Sequence, residues 1–382
     1  MQRNLSETEL EGLIRTIFAP TPEDKKLAFL IDVPNARVSD SDAWQDRRQI
    51  AWEWYETLHR VKMDLDLAEI SFFCFENTGS NNADLPESMT RCTSCPDQVT
   101  SAQLVSKGPG VRLERVLSQS DIVFALTEFS ATAPLKVFAK KFGFRAATMP
   151  GFSREMIPAL SVDYEKVHEQ VLKIRSKLDE AIAIEINFLV ENQTYEFFVD
   201  IRYRSGFASS GLLRTRGIAG NLPSGEAYIV PYEGELAKES KTAGLLPVQF
   251  GDEIVVYKIE RNRAIDVLSR GAKSEVEKNK LATEPAYGNI AEIGFGVLRP
   301  FGIKPIGVVL LDEKLGLHIA FGRSDHFGGA TSPQHFFDSN NVVHIDRIYI
   351  PEVQDKITTK KVVLEYPDKQ REEMIRDGEY LI

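Results

Sequence analysis

AIAIEINFLVENQTYEFFVDIRY, residues 181–203, decides how the rest of the chain is read. Two runs rich in β-branched and aromatic residues flank an Asn-containing turn, the pattern of paired strands. Upstream the texture differs. KLAFLIDV (26–33), EISFFC (69–74), DIVFAL (121–126) and FRAATMP (144–150) read as buried strands. Helical stretches lie between them, WQDRRQIAWEWYETLHRV and a second around PLKVFAKKFG. A long polar helix, VDYEKVHEQVLKIRSKLDEA, closes this half. Such alternation predicts βαβ units and a mostly parallel sheet covered by helices. Downstream, EAYIVPYEGE, DEIVVYKIE, IGVVLLDEK, GLHIAFG and VVHIDRIYI read as short strands separated by Gly, Pro and Asn turns. One clear helix signal interrupts them, RAIDVLSRGAKSEVEKNKLA. The expected fold is an α/β N-terminal domain over 1–180, followed by a β-rich α+β domain over 181–382. The second domain holds the candidate metal residues.

At 382 residues the chain is too long for one ordinary core. Its net charge of −10 argues against nucleic acid or an anionic membrane as a partner. No stretch approaches the ~18 apolar residues of a membrane-spanning helix. The start, MQRNLSETELEGL, reads as an amphipathic helix and not as a signal peptide. Three cysteines, Cys74, Cys92 and Cys95, cannot all pair, so a reducing cytoplasm is expected.

Four of the six histidines, His318, His326, His335 and His344, fall within 27 residues. His344 and Asp346 are two apart on an expected strand, so both point to one face. Glu226 follows the turn Pro223-Ser224-Gly225 and opens a strand. Glu292 shares its strand face with Gly294 and Gly296, and His318 shares its own with Ala320 and Gly322. Side chains that small leave space for an ion, a water and a substrate, where a packing core would be filled. Three carboxylates and two imidazoles suit two divalent ions, with Zn, Mn, Co or Fe favoured over Ca or Mg. Two ions a few Å apart hold a hydroxide between them and polarise a carbonyl.

In GNLPSGEAYIVPYEGE, AEIGFGVLRP, LDEKLGLHIAFGRSDHFGG and VVHIDRIYI the chain resembles the aminopeptidase T family of two-metal aminopeptidases. ATMPGFSREMI resembles it too. The resemblance covers most of the chain from about residue 110. It implies the metal ligands Glu226, Glu292, His318, His344 and Asp346. It also implies removal of N-terminal residues from small peptides, and a homodimer with an enclosed site. Glu226 or another nearby acid would shuttle the proton. One position departs from the family. Its tyrosine seven residues after the first of these histidines is replaced by Asp325, and His326 beside it is the candidate to donate to an oxyanion in its place. Gly328-Gly329 reads as a flexible loop over the site.

Two other functions compete. His318, His344 and Asp346 alone form the two-histidine, one-carboxylate set that suits a mononuclear non-haem Fe(II) oxygenase; ring-cleaving pyridinediol dioxygenases resemble this peptidase family, and that resemblance implies a histidine in them at the position of Glu292. A degenerate relative kept for binding or assembly is the non-enzymatic alternative. Cys92-Thr-Ser-Cys95 reads as a surface loop with incidental thiols. Arg214 and Arg216 read as solvated strand residues, with binding of a substrate carboxylate as the alternative. Asp312, Glu313 and Lys314 read as an exposed turn, and KITTKK as a solvated strand edge.

Overall fold

The computed structural model describes residues 4–106, 110–338 and 341–381. The chain forms two compact units, Met1–His168 with Gly211–Ser224, and Glu169–Ser210 with Gly225–Ile382. Both mix helices with sheet. None of the described helices is long and apolar enough to cross a membrane.

The first unit is built on a seven-stranded sheet. Its order is Ala219–Asn221, Arg145–Thr148, Ile122–Leu126, Lys26–Val33, Glu69–Glu76, Ser88–Arg91, Val111–Arg112. The first five strands pair in parallel and the last two are antiparallel. Helices cover parallel strands on both faces, which explains near-continuous apolar runs such as Lys26–Val33, buried at seven of its eight positions. Phe29 stacks between Phe72 and Phe124, with centroids at 5.8 and 5.6 Å. The helix Glu7–Phe18 starts where Ser6 and Glu9 form a reciprocal capping box. The helix Asp42–Val61 starts at Ser41, whose hydroxyl accepts from the Trp44 amide.

The second unit holds two antiparallel sheets, of eight and five strands. Ala183–Val190 and Gln193–Asp200 pair as a hairpin in the larger one. The smaller sheet runs His344–Ile348, Leu317–Gly322, Ile290–Gly296, Glu226–Ile229, Phe207–Ser209. Its three interior strands are buried at every position. On one face Phe321 packs on Tyr257 and Tyr287, 5.1 and 6.2 Å between centroids. The other face carries the candidate site.

Three local readings are corrected. IGVVLLDEK is not a strand: it holds the helix Val309–Asp312 and the turn Glu313–Leu315. The Asp312 carboxylate accepts the amides of Ile306 and Gly307 and ties that loop closed. A short apolar run does not separate a strand from a buried helical turn. RAIDV is a strand, Arg263–Val267, and only Ala272–Thr283 is helical. KITTKK lies in Ile357–Glu365, between Ala183–Val190 and Arg371–Arg376, so it belongs to an interior strand.

Candidate metal centre

Register assembles the centre. Directly opposed residues of antiparallel strands share a face. Glu226 opposes Gly296, Glu292 opposes Ala320, and Ala320 opposes Asp346. His318 opposes Gly294 and His344 opposes Gly322. All five candidate ligands therefore rise from one face of four adjacent strands, each opposite a residue with little or no side chain. The glycine at 294 is required: a Cβ there would stand 1.9 Å from His318 Nε2.

The donors form two groups that share Glu292. One is Glu226, Glu292 and His318; the other is Glu292, His344 and Asp346. His318 Nε2 lies 3.4 Å from Glu292 Oε1 and 3.5 Å from Glu226 Oε2. His344 Nε2 lies 3.3 Å from Glu292 Oε2 and 3.6 Å from Asp346 Oδ1. Each imidazole is anchored through its other nitrogen. His344 Nδ1 is 2.8 Å from the Arg323 carbonyl and His318 Nδ1 is 3.4 Å from that of Gly316. Such anchoring fixes the tautomer and turns Nε2 to the cluster, as in metal-ligating histidines.

Electrostatics agree with a cation site. Burial pushes the Glu292 carboxyl up, but hydrogen bonds from His318 and His344 outweigh it and bring it down to about 2. Burial pushes His318 down, yet Glu292 and Glu226 raise it to about 9. Burial likewise opposes the charge on His344, and Asp346 and Glu292 raise it. Without ions, the imidazoles hold protons against a buried excess of carboxylate. Glu226 Oε2 is buried and has no hydrogen-bond partner, and His318 Nε2 faces it only at 3.5 Å. A buried carboxylate oxygen left so is costly unless something cationic meets it. The five donors thus fit one or two divalent ions.

Three residues near the cluster were misread from the sequence. Glu313 and Lys314 are not an exposed turn, and neither is Asp312: all three are buried. Lys314 Nζ donates to Glu226 Oε1 at 2.6 Å and to Glu313 Oε1. The only signal for this was three charges set inside an apolar run that leads to His318.

Asp325 is held by Arg323, 2.5 Å from Nε to Oδ1. His326 lies against His344 instead, 5.1 Å between centroids, with its Nδ1 buried and without a hydrogen-bond partner. Burial, helped by the charges of His344 and Arg323, lowers it to about 3, so it is neutral. Phe327, Tyr228 and Phe207 continue an aromatic wall from His344, at 5.4, 4.8 and 5.1 Å between successive centroids. Glu233 ties the loop behind it, accepting from Ser324 Oγ, the Ala330 amide and Thr331 Oγ1. His335 belongs to neither donor group and closes its own turn, accepting from the Ser332 amide.

Other candidates fall elsewhere. Arg214 and Arg216 are not on a strand. Arg214 bonds to Glu165 and the Thr16 carbonyl, and Arg216 to Asp24, so both are engaged within the first unit. Cys92 is not on the surface: its sulfur lies 2.7 Å from that of buried Cys74, while Cys95 is half-buried.

A scan of protein-family models finds no match, and neither does a search of curated proteins. Solved structures do share the fold. A 2,5-dihydroxypyridine dioxygenase from Pseudomonas putida KT2440 superposes with a TM-score of 0.61 at 15% identity, over 99% of this chain and 98% of that one. AmpT (aminopeptidase T) from Thermus thermophilus superposes at 0.55 and 14% identity, over 98% of each chain. The chain has the fold of these two proteins. At such identity the likeness extends to fold alone, and the chemistry rests on the site.

Proposed function

We propose that the chain is a metal-dependent hydrolase, an aminopeptidase that releases N-terminal residues from small peptides. One observation carries this reading. Glu292 offers one oxygen to the Glu226–His318 group and the other to the His344–Asp346 group, the arrangement two cations a few Å apart require. A mononuclear site on His318, His344 and Asp346 would not need Glu292, and those three do not form a donor group of their own among the described residues.

Two bound divalent ions would supply an activated water and polarise a scissile carbonyl. The chain's own groups do the rest. His318 and His344 present Nε2, and Glu226, Glu292 and Asp346 balance the charge. Neutral His326 donates a hydrogen bond to the developing oxyanion, the role proposed for it in place of tyrosine. Asp325 is engaged by Arg323 and acts only on the loop. The aromatic wall of Phe327, Tyr228 and Phe207 flanks the cluster on one side.

The test is elemental analysis of protein purified without a metal-affinity tag, followed by hydrolysis of an unblocked peptide library. Two Zn, Co or Mn per chain with release of N-terminal residues supports the reading. The likeness to the dioxygenase favours one rival on the same fold. Near one Fe per chain, with oxygen uptake on dihydroxylated pyridines and no peptide hydrolysis, would replace the hydrolase by a ring-cleaving dioxygenase.

A further inference from the structure

Lys314 is a fully buried lysine in direct contact with a candidate metal ligand. Its side chain is 1% exposed, and its ammonium meets Glu226 Oε1 at 2.6 Å and the Glu313 carboxylate on its other side. Leu298 donates to the Lys314 carbonyl at 2.8 Å and Gly296 to that of Gly316 at 2.9 Å. A Cβ at residue 296 would strike Lys314 C at 2.1 Å, so the Glu313–Gly316 segment is seated against a bare backbone next to Glu226.

The consequence falls unequally on the two donor groups. Glu226 has only Oε2 to offer an ion, because Oε1 is taken by the ammonium. That ammonium is a fixed positive charge one carboxylate away from any cation held by Glu226 and His318. Repulsion over such a distance is strong in a water-poor interior. Asp346 feels the same ammonium through space, but neither it nor His344 has a lysine hydrogen-bonded to it among the described residues, whereas Glu226 is in direct contact.

We propose that Lys314 makes the Glu226–Glu292–His318 position the loosely held, exchangeable one of the two cation positions. The inference rests on the two-ion reading above. Its physical content is competition. With the position empty, Lys314 is the counter-ion that lets Glu226 stay buried; with an ion present, the same charge weakens that ion's binding. The Glu292–His344–Asp346 position fills first and the Glu226 side fills last.

Titration of the metal-free full-length chain with Mn²⁺, with free ion counted by its EPR signal, separates the two steps. Wild type should take two ions at saturation, the second at least about tenfold more weakly than the first. Lys314→Met should tighten the second step by about tenfold or more and leave the first unchanged. Lys314→Arg, which keeps the charge, should keep the gap. Glu226→Gln should abolish the second step alone. Should Lys314→Met fail to fold by circular dichroism, the charge-balanced Glu313→Gln/Lys314→Met double variant makes the same prediction. A second step that is unchanged or loosened on loss of the ammonium overturns the inference, because Lys314 would then only orient Glu226. Uptake of fewer than two ions by saturated wild type is a separate failure, of the two-ion reading itself.

Discussion

Glu292 and Asp346 are both register partners of Ala320, so these two carboxylates stand on one sheet face with only a methyl group between them. Across a whole intervening strand they are brought close enough for His344 to reach both, at 3.3 and 3.6 Å. The smallness of residue 320 therefore decides whether a cation fits.

Ala320→Leu should abolish metal uptake. Ala320 is fully buried, and overpacking there costs roughly 1–3 kcal/mol, which a chain of this size tolerates. Ile319→Val, on the opposite face, should cost roughly 0.5–1.5 kcal/mol and leave metal content unchanged. Elemental analysis beside thermal melts checks the contrast. Normal metal content in Ala320→Leu would place the ions elsewhere.

Sharing of Glu292 predicts an asymmetry among ligand variants. Glu292→Gln should lose both ions, whereas Asp346→Asn should lose only the one on its own side. Hydrolysis should fall in each by more than the roughly 10–100-fold that loss of an outer-shell partner costs. Retention of one tight ion in Glu292→Gln would show that the carboxylate does not bridge.

Chelation should destabilise the chain. An ion that binds only the folded form, supplied at 100 times its dissociation constant, contributes about 2.7 kcal/mol. Differential scanning calorimetry with and without Mn²⁺ should show a higher melting temperature with the ion. Identical melts would mean that the buried carboxylates are held by protons alone.

Loss of His326 should separate catalysis from metal binding. His326→Ala is expected to keep both ions and to lose roughly 10²–10³ in kcat, the range for removing one oxyanion donor. Asp325→Asn should change kcat only a few-fold, since Arg323 holds that carboxylate. Equal losses in both variants would mean that the loop as a whole, and not the imidazole, matters.

In the first unit, fully buried Asp24 pairs with buried Arg145 at 2.7 Å and with Arg216. Burial alone would raise its carboxyl; the Thr21 amide and Arg145 outweigh that and lower it below the usual 3.8. The folded form thus holds its proton more weakly than the unfolded one. The stability this group contributes is present above about pH 4 and is lost as pH falls through the folded value. Asp24→Asn should cost roughly 3–5 kcal/mol at pH 7, because it leaves Arg145 buried and unpaired. The difference from wild type in urea unfolding should narrow toward pH 3. A pH-independent difference would mean that the loss is one of packing.

Much of the local geometry was legible because it is local. Two-residue periodicity placed His344 with Asp346, and Glu292 with Gly294 and Gly296, on shared faces. The turn Pro223-Ser224-Gly225 set Glu226 at the first residue of its strand. Apolar runs such as KLAFLIDV marked buried parallel strands, since helices on both faces leave no polar side. Two kinds of run failed: the long RAIDVLSRGAKSEVEKNKLA, which joins a strand to a helix, and short apolar ones. IGVVLLDEK has the composition of a strand and the length of a helical turn, and only its docking chose between them.

What the sequence by itself determined is which residue types stand on which face of each strand, because backbone pleating alone dictates alternation. Register was left to the tertiary structure. That register sets Ala320 between Glu292 and Asp346, lays the His318 ring over Gly294, and gives Glu292 to both donor groups. It also decided Lys314. Beside Asp312 and Glu313 a lysine reads as solvated, since charges ordinarily stay in water. Here the bare backbone at Gly296 admits the segment, and two carboxylates compensate the ammonium where water does not reach. Compensation of that kind depends on groups 88 residues apart meeting in space, and no local pattern records it.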